Sequence, residues 1–177
     1  MLGSGFIDPK TWKNIKRRYF YQAAMYYLSD TEQPLRFIEK DSATTYKITR
    51  RPGDFRPKKI AERNRAVEQE IAITLKPRQV IVISNDQLNQ REEFGYVQVL
   101  TVFSLTRRHS KKAWYQYLIN DRHPGFVFIR RRKGYGVSVD LTQVSIIHKS
   151  LLLKEQSKVP SERMHFIESR LLELLDL

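Results

Sequence analysis

The chain has 177 residues, 41% of them hydrophobic, which is enough for one domain with a substantial core. Cysteine is absent, so disulfides and thiolate metal sites are excluded. No apolar run approaches the ~18–20 residues of a membrane span, and the first residues lack the basic and apolar segments of a secretory signal. We therefore predict a cytoplasmic protein with no membrane partner.

The charge is strongly positive, with 32 Lys and Arg against 19 Asp and Glu, a net charge of +13. A surface of this kind attracts phosphate polymers. The excess is concentrated in one region, where a single acid, Asp121, stands among Arg107, Arg108, Lys111, Lys112, Arg122, Arg130, Arg131, Arg132 and Lys133. We predict a nucleic acid partner and an anion-binding surface in this region.

The first predicted element is a helix over residues 8–29. Asp8 is suited to capping the free amides of the first turn, and Pro9 suits the first helical position. Apolar residues recur there every third or fourth position, namely at Trp12, Ile15, Tyr19, Ala23 and Tyr26. We interpret this stripe as docked on the rest of the protein, the alternative being a basic helix that faces RNA. The predicted organisation is an N-terminal helical extension over residues 1–45, followed by a second domain over residues 46–177.

The next segments are polar. Residues 35–38 have the composition of a short strand, and Pro52-Gly53-Asp54 is a turn signal. Residues 58–70 combine helical composition with dense charge, and we predict a helix or a mobile loop there.

Short apolar strands dominate the second half of the chain. The runs over residues 80–83, 96–105, 125–130 and 136–147 are rich in Val, Ile, Thr and Phe and are separated by turn residues. Because no helical pattern lies between each pair, they favour an antiparallel barrel or sandwich over a parallel sheet. A closing helix is predicted to begin at Pro160-Ser161, with Ser161 as its cap and an apolar face formed by Met164, Ile167, Leu171, Leu174 and Leu175.

Four segments taken together resemble the MazF/PemK toxins. They are KPRQVIVISND over residues 76–86, LTRR over residues 105–108, HPGFVFI with VDLTQV and KSLL between residues 123 and 152, and VPSERM over residues 159–164. The resemblance implies a mainly β fold, an SH3-like antiparallel barrel with a C-terminal helix. It also implies a homodimeric endoribonuclease that needs no metal or other cofactor, cleaves single-stranded RNA and is neutralised by a cognate antitoxin protein.

The resemblance also implies roles for particular residues. Arg78 matches the catalytic Arg of the family at the head of its strand, and an Arg is suited to stabilising the extra charge on a phosphate during cleavage. Thr106 is the best match to the catalytic Thr, while Ser104 and Thr101 compete for that role because the preceding loop has no unique alignment. We expect the RNA to be held by Ser104, Arg107, Arg108, Lys111 and Lys112.

Several positions depart from the family pattern. Gln79 stands where a Pro normally follows the catalytic Arg, Ser145 where an Arg is frequent, and His148 where an Asp precedes Lys-Ser. These departures leave an alternative hypothesis open, in which the chain is a non-catalytic member that binds RNA or a protein target such as DNA gyrase, as CcdB-type toxins do. The four histidines show no metal-binding spacing, so no metal site is predicted.

Overall fold

The computed structural model describes residues 5–26, 35–60 and 62–176. The chain divides into two compact units, unit 1 with Met1–Met25 and Pro77–Leu177, and unit 2 with Tyr26–Lys76. In the sequence, unit 2 therefore falls between two segments of unit 1. The division into residues 1–45 and 46–177 remains a prediction, and its boundary lies within unit 2.

Ten strands and four α-helices are found in the described ranges. The strands are β1 (Tyr19–Tyr26), β2 (Arg36–Lys40), β3 (Tyr46–Arg50), β4 (Lys58–Ile60), β5 (Arg63–Arg65), β6 (Leu75–Val82), β7 (Tyr96–Ser104), β8 (Phe126–Ile129), β9 (Val137–His148) and β10 (Leu152–Lys158). The helices are α1 (Asp86–Asn89), α2 (Arg107–Ser110), α3 (Ala113–Ile119) and α4 (Ser161–Leu174). None of these helices is long and apolar enough to cross a bilayer.

Unit 1 is built on a six-stranded sheet with the strand order β10-β1-β6-β7-β9-β8. The β1–β10, β6–β7, β7–β9 and β8–β9 pairs are antiparallel. The prediction of a mainly β fold with a C-terminal helix is confirmed. Strands β10 and β8 are the two edges of the sheet, so the described strands do not close into a ring, and the SH3-like barrel stays a prediction.

Both faces of this sheet are covered by apolar side chains, because neighbouring residues of a strand point to opposite faces. One face packs against the N-terminal segment in a cluster formed by Phe6, Trp12, Ile15, Tyr21, Ala23, Met25, Val80, Val82, Val97, Val99, Ile147 and Leu152. The other face packs against α4 in a cluster formed by Phe20, Ile81, Leu100, Val102, Val127, Ile129, Val137, Val139, Leu141, Val159, Met164 and Ile167. The last three residues of the central strand β6, Val80–Val82, are consequently buried on both sides.

The closing helix begins where the sequence predicted, at Ser161, although the cap position is Pro160 and no side chain caps the helix. Met164 and Ile167 are fully buried against the sheet, and each such side chain contributes roughly 1.5–3 kcal/mol when removed from water. The predicted apolar face does not extend along the whole helix, since Leu174 and Leu175 are exposed.

The predicted N-terminal helix over residues 8–29 is wrong for residues 8–26, and residues 27–29 lie outside the described ranges. Asp8 does cap a helix, accepting a hydrogen bond from the Lys10 amide, but this is a single 3₁₀ segment over Pro9–Asn14. Arg18 then adopts a positive φ of 68°, which no α-helix tolerates, and β1 follows. Strand β1 is rich in aromatic residues, which favour strands, and its alternate side chains Tyr21, Ala23 and Met25 enter the core. The predicted docking of Trp12 and Ile15 is confirmed.

Unit 2 contains two β-hairpins, formed by β2 with β3 and by β4 with β5. The short strand predicted near residue 36 is confirmed as β2. The helix or mobile loop predicted for residues 58–70 is wrong, because its charged residues form β4 and β5. Alternating exposed charges give a hairpin no apolar periodicity by which the sequence would reveal it.

The guanidinium of Arg51 connects several segments of unit 2. Arg51 donates to Glu39 at 2.6 Å and to Gln69 at 2.9 Å, and its guanidinium stacks over the Phe37 ring at 4.1 Å. The Gln69 amide in turn donates to the Asp54 carbonyl at 2.6 Å. These contacts hold the predicted Pro52-Gly53-Asp54 turn against β2.

Lys149 is the one fully buried charged side chain among the described residues. Its ammonium donates to the carbonyls of Leu88 at 3.1 Å and Arg91 at 2.8 Å, and it lies 4.8 Å from the centroid of the Trp12 ring. Burial lowers the pKa of Lys149. The side chain thus joins the loop after β6 to the N-terminal segment.

Replacing Lys149 with Met keeps the volume of the side chain but removes the donor to the carbonyls of Leu88 and Arg91. We expect Lys149→Met to lower the free energy of unfolding by about 1–3 kcal/mol, measured by urea denaturation. The exposed Lys154→Met is the matched control and should change it by less than about 0.5 kcal/mol. Equal stability of the two variants would contradict the structural role of Lys149.

Candidate active site

The strand pairing brings three chain segments to one end of the unit 1 sheet. Gln79 pairs with Val102, so the start of β6 lies beside the end of β7. Val137 pairs with both Ser104 and Ile129, so the end of β7 also lies beside the β8–β9 loop. The Leu105 amide donates to the Gly136 carbonyl at 3.0 Å and closes this arrangement.

Arg78 lies in β6 at this end of the sheet and its side chain is exposed. Val80 and Thr101 are directly opposite each other in the β6–β7 pair and share a face of the sheet. Arg78 is two residues from Val80 and therefore lies on that same face. It stands diagonally across from Thr101, at a separation that long side chains can bridge.

The three candidate hydroxyls have different surroundings. Thr101 is buried, and its Oγ1 has no hydrogen-bond partner among the described residues. Ser104 is exposed at the end of β7. Thr106 is exposed at the N-cap of α2, where its amide donates to Nδ1 of His109 at 3.1 Å and its hydroxyl lies 3.4 Å from the same nitrogen. Thr106 and His109 therefore cap a helix together, whereas the Thr101 hydroxyl has no structural role of this kind.

The predicted RNA-holding residues follow directly after this strand end. Arg107 and Arg108 lie in α2, Lys111 at its C-terminus and Lys112 at the N-cap of α3. All four are exposed, and within the part of the chain that the structure describes none of them forms an ion pair. The end of the sheet that carries Arg78 is therefore bordered by uncompensated positive charge.

A second group of cations at this end belongs to the basic region that the sequence predicted to bind anions, but it was not among the residues expected to hold the RNA. Arg130, Arg131, Arg132 and Lys133 are exposed in the β8–β9 loop. Arg131 donates to the Gln79 side chain, which donates in turn to Gln156. The Arg131 guanidinium also lies 5.7 Å from the centroid of the Phe20 ring. The signal available in the sequence was the run of four basic residues between two strands, and only the strand pairing relates that run to Arg78.

Two of the departures from the family pattern fall on residues with structural contacts. Gln79 anchors the β8–β9 loop through Arg131. His148 caps the 3₁₀ turn over Lys149–Leu151, with its Nδ1 2.7 Å from the Ser150 hydroxyl. Ser145 pairs with Val99 in the middle of the sheet. None of the three lies in α2 or the β8–β9 loop.

Aromatic side chains lie beside the α2 cations. Trp114 and Tyr117 of α3 are 39% and 59% exposed, and the Trp114 ring centroid is 5.8 Å from that of His109. Exposed rings of this kind can stack on unpaired bases while neighbouring cations bind phosphates. Within the described ranges, no group of three or more His, Asp or Glu residues is placed to hold a metal ion.

The unpartnered Thr101 hydroxyl should lower the stability of the folded protein. Burying a hydroxyl without a hydrogen bond costs about 1–3 kcal/mol, and Val has nearly the same shape without this group. Thr101→Val should therefore raise the free energy of unfolding by about 1 kcal/mol in thermal or urea denaturation. The exposed Thr44→Val is the control and should leave it within about 0.5 kcal/mol. A clear destabilisation by Thr101→Val would mean that the hydroxyl has a structural partner.

Comparison with known proteins gives structural neighbours of low sequence identity. An endoribonuclease from a mycobacterial species is 16% identical with a TM-score of 0.43, over 57% of this chain and 82% of that chain. MazF of Deinococcus radiodurans is 15% identical with a TM-score of 0.42, over 85% of this chain and 99% of that chain. The MazE–MazF complex from the same organism is 18% identical with a TM-score of 0.42, over 56% and 83% of the respective chains. No curated protein matches the sequence significantly.

The family assignment comes from a sequence model. The model of PemK-like and MazF-like toxins of type II toxin–antitoxin systems matches residues 61–175. This range contains β5 to β10 and the whole of α4, and therefore Arg78, Thr101 and the basic residues of α2 and the β8–β9 loop. Because the match covers more than half of the chain, this protein belongs to the PemK-like, MazF-like toxin family of type II toxin–antitoxin systems.

Proposed function

We propose that this chain is an endoribonuclease toxin that cleaves single-stranded RNA without a metal ion. The observation that carries the proposal is the exposed position of Arg78 in the first half of β6, next to Gln79, where the pairing with β7 begins, and beside the strand end from which the α2 cations emerge. Membership of the toxin family supports the same reading. We extend the proposal to an SH3-like fold of unit 1, a homodimer, a cytoplasmic location and neutralisation by a cognate antitoxin.

The proposed reaction uses the 2′-hydroxyl of the RNA itself. This oxygen loses its proton and attacks the adjacent phosphorus, while the bond from phosphorus to the 5′-oxygen of the next nucleotide breaks. The 5′-oxygen gains a proton and leaves as a hydroxyl, and the other fragment ends in a 2′,3′-cyclic phosphate. Negative charge increases on the non-bridging oxygens as the phosphorus becomes five-coordinate, so the protein accelerates the step by donating hydrogen bonds there.

Arg78 is the residue to which we assign this donation. A guanidinium keeps its charge at all relevant pH values and presents parallel N–H donors that match two phosphate oxygens. Arg107, Arg108, Lys111 and Lys112, with the exposed Ser104, hold the flanking phosphates. The exposed Arg130, Arg132 and Lys133 add to the positive electrostatic potential at this end of the sheet. Arg131 joins their loop to Gln79.

A hydroxyl beside Arg78 would supply one further hydrogen bond to the phosphate. Thr106 was the first candidate from the sequence, but its backbone and hydroxyl are directed to His109. Thr101 shares a sheet face with Arg78 and has an Oγ1 without a partner in the described residues. We assign the assisting role to Thr101, with Thr106 as a positioning residue for the α2 cations. The Thr101 Oγ1 is buried in the free chain, so this role requires RNA binding to expose it at the strand end.

The test of Arg78 is cleavage of single-stranded RNA by the purified chain in the presence of EDTA. We expect cleavage by the wild type and a loss on the order of a hundredfold to a thousandfold in rate for Arg78→Ala. Arg91→Ala, which removes an exposed Arg paired with Glu93 elsewhere in unit 1, should retain the wild-type rate. No cleavage by the wild type, or equal rates for the Arg78 and Arg91 variants, would refute the proposal.

The test of the hydroxyl compares Thr101→Val with Thr106→Val in the same assay. Loss of a preorganised donor should cost Thr101→Val about a hundredfold in rate, although the variant is expected to be more stable than the wild type. Thr106→Val should retain most of the rate. If Thr106→Val lost more of the cleavage rate than Thr101→Val, the assisting hydroxyl would be that of Thr106.

A further inference from the structure

Unit 2 carries a second concentration of positive charge on the β4–β5 hairpin. In its register, Lys58 lies opposite Arg65 and Lys59 opposite Asn64. Lys58, Lys59, Arg63 and Arg65 are all exposed. Because side chains alternate between the faces of a strand, Lys58, Arg63 and Arg65 lie on the same face of the hairpin.

The pairing of Lys58 with Arg65 is unfavourable for the hairpin by itself. Like charges directly opposite each other destabilise a strand pair, and isolated two-stranded hairpins are only marginally stable in water. An acidic neighbour would normally relieve such a contact. Within the described ranges, none of Lys58, Lys59, Arg63 and Arg65 forms an ion pair.

Two acids close to the hairpin in the sequence, Asp54 and Glu62, form no ion pair with its cations in the described residues. Asp54 is bound by both nitrogens of the Arg56 fork, at 2.8 and 2.9 Å, and this contact lowers the pKa of Asp54, with a smaller contribution from Lys58. Glu62 lies in the turn with a positive φ of 65° and is exposed. Glu68 and Glu70 line the same cleft as Lys58 but form no ion pair with it in the described residues. The positive face of the hairpin therefore has no carboxylate at ion-pair distance, and an external polyanion would supply closer counter-charges.

An exposed aromatic ring precedes the hairpin. Phe55 is 61% exposed, and its ring lies against Gly53, where any side chain would collide with it. The ring therefore packs against the Gly53 backbone while most of its surface is available to solvent. Proteins that bind single-stranded nucleic acids combine such rings, which stack on bases, with cations that follow the phosphates. An acidic polypeptide would use the cations but would have no need of the ring.

We propose that the β4–β5 hairpin of unit 2 is a second binding site for single-stranded RNA, at which Lys58, Arg63 and Arg65 contact phosphates and Phe55 stacks on a base. The inference rests on the proposed function for its choice of RNA as the polyanion. Binding at this site should not depend on the base sequence of the RNA, because contacts to phosphates do not distinguish one base from another.

The experiment measures binding, not cleavage, of a short labelled oligouridylate across a series of salt concentrations, with Arg78→Ala as the parent so that the RNA stays intact. The test variant adds Lys58→Gln and Arg65→Gln. Each lost phosphate contact should reduce the slope of log affinity against log salt by about 0.7, so the slope should fall by about 1.4, and affinity near 0.1 M salt by on the order of tenfold. Phe55→Ala should weaken binding with no change in the slope.

The matched control adds Lys40→Gln and Lys47→Gln, which remove the same charge from the β2–β3 hairpin of unit 2. In this control, the salt slope and the affinity for RNA should stay near the parent values. Thermal unfolding should show the Lys58/Arg65 variant to be at least as stable as the parent, since a repulsion has been removed. An unchanged slope, or an equal loss in the control, would overturn the proposal. So would polyglutamate competing with the RNA as well as unlabelled oligouridylate does, because the site would then be one for acidic polypeptides.

Failure of this proposal is distinguishable from failure of the proposed function. If the wild-type chain does not cleave RNA but the Lys58/Arg65 variant loses affinity, the enzyme assignment fails and the hairpin site stands. If the wild type cleaves RNA and the hairpin variants bind normally, the hairpin proposal fails alone.

Discussion

The register between β6 and β7 is the constraint on which the site in unit 1 depends. Val80 and Val82 fill the core on one face of the sheet, and Ile81 fills the core on the other. A slip of one residue would exchange every side chain between the two faces, so burial on both sides permits only this pairing. The same register places Arg78 diagonally across from Thr101 and sets the start of β6 beside the end of β7. The chemistry is thus positioned by apolar side chains that take no part in it.

Stability and function are separated along this strand pair. The apolar stretch of β6 secures the pair, and the exposed start of the strand carries the guanidinium. Lys149 reinforces the opposite end of β6, because its ammonium holds the loop that follows the strand. The unpartnered Thr101 hydroxyl and the unpaired cations of α2 are costs to the folded state. Groups of this kind cluster at sites where a ligand completes their interactions.

The sequence predicted the elements in which packing and local preference agree. The β-branched runs of β6, β7 and β9 and the apolar stripe of α4 fit only one type of element each. The exposed first half of β6 was not predicted as strand, so Arg78, expected at the head of the strand, is its fourth residue. Strand β1 was missed because Tyr19, Ala23 and Tyr26 continue the three- to four-residue spacing of Trp12 and Ile15 and so fit a helical stripe. The β4–β5 hairpin was missed because it consists almost entirely of charged residues. The choice between Thr101 and Thr106 required the strand register, which depends on contacts between distant segments that no local pattern encodes.

The positive charge of the chain is partitioned between two surfaces with different surroundings. In unit 1 it borders a site with a catalytic candidate, and in unit 2 it lies on a hairpin with none. A polynucleotide is one ligand whose repeated charge suits both surfaces, and a toxin that acts on long RNA gains affinity from a second, sequence-independent contact.

The central claim is that the 2′-hydroxyl of the RNA is the nucleophile and that the protein stabilises the phosphate it attacks. Mass spectrometry of the fragments from an oligonucleotide with one 2′-deoxy nucleotide at the preferred cleavage position tests it most directly. The account predicts 2′,3′-cyclic phosphate and 5′-hydroxyl ends from the all-RNA strand and no cleavage after the deoxy nucleotide. Fragments with 5′-phosphate ends, or cleavage at the deoxy position, would contradict it.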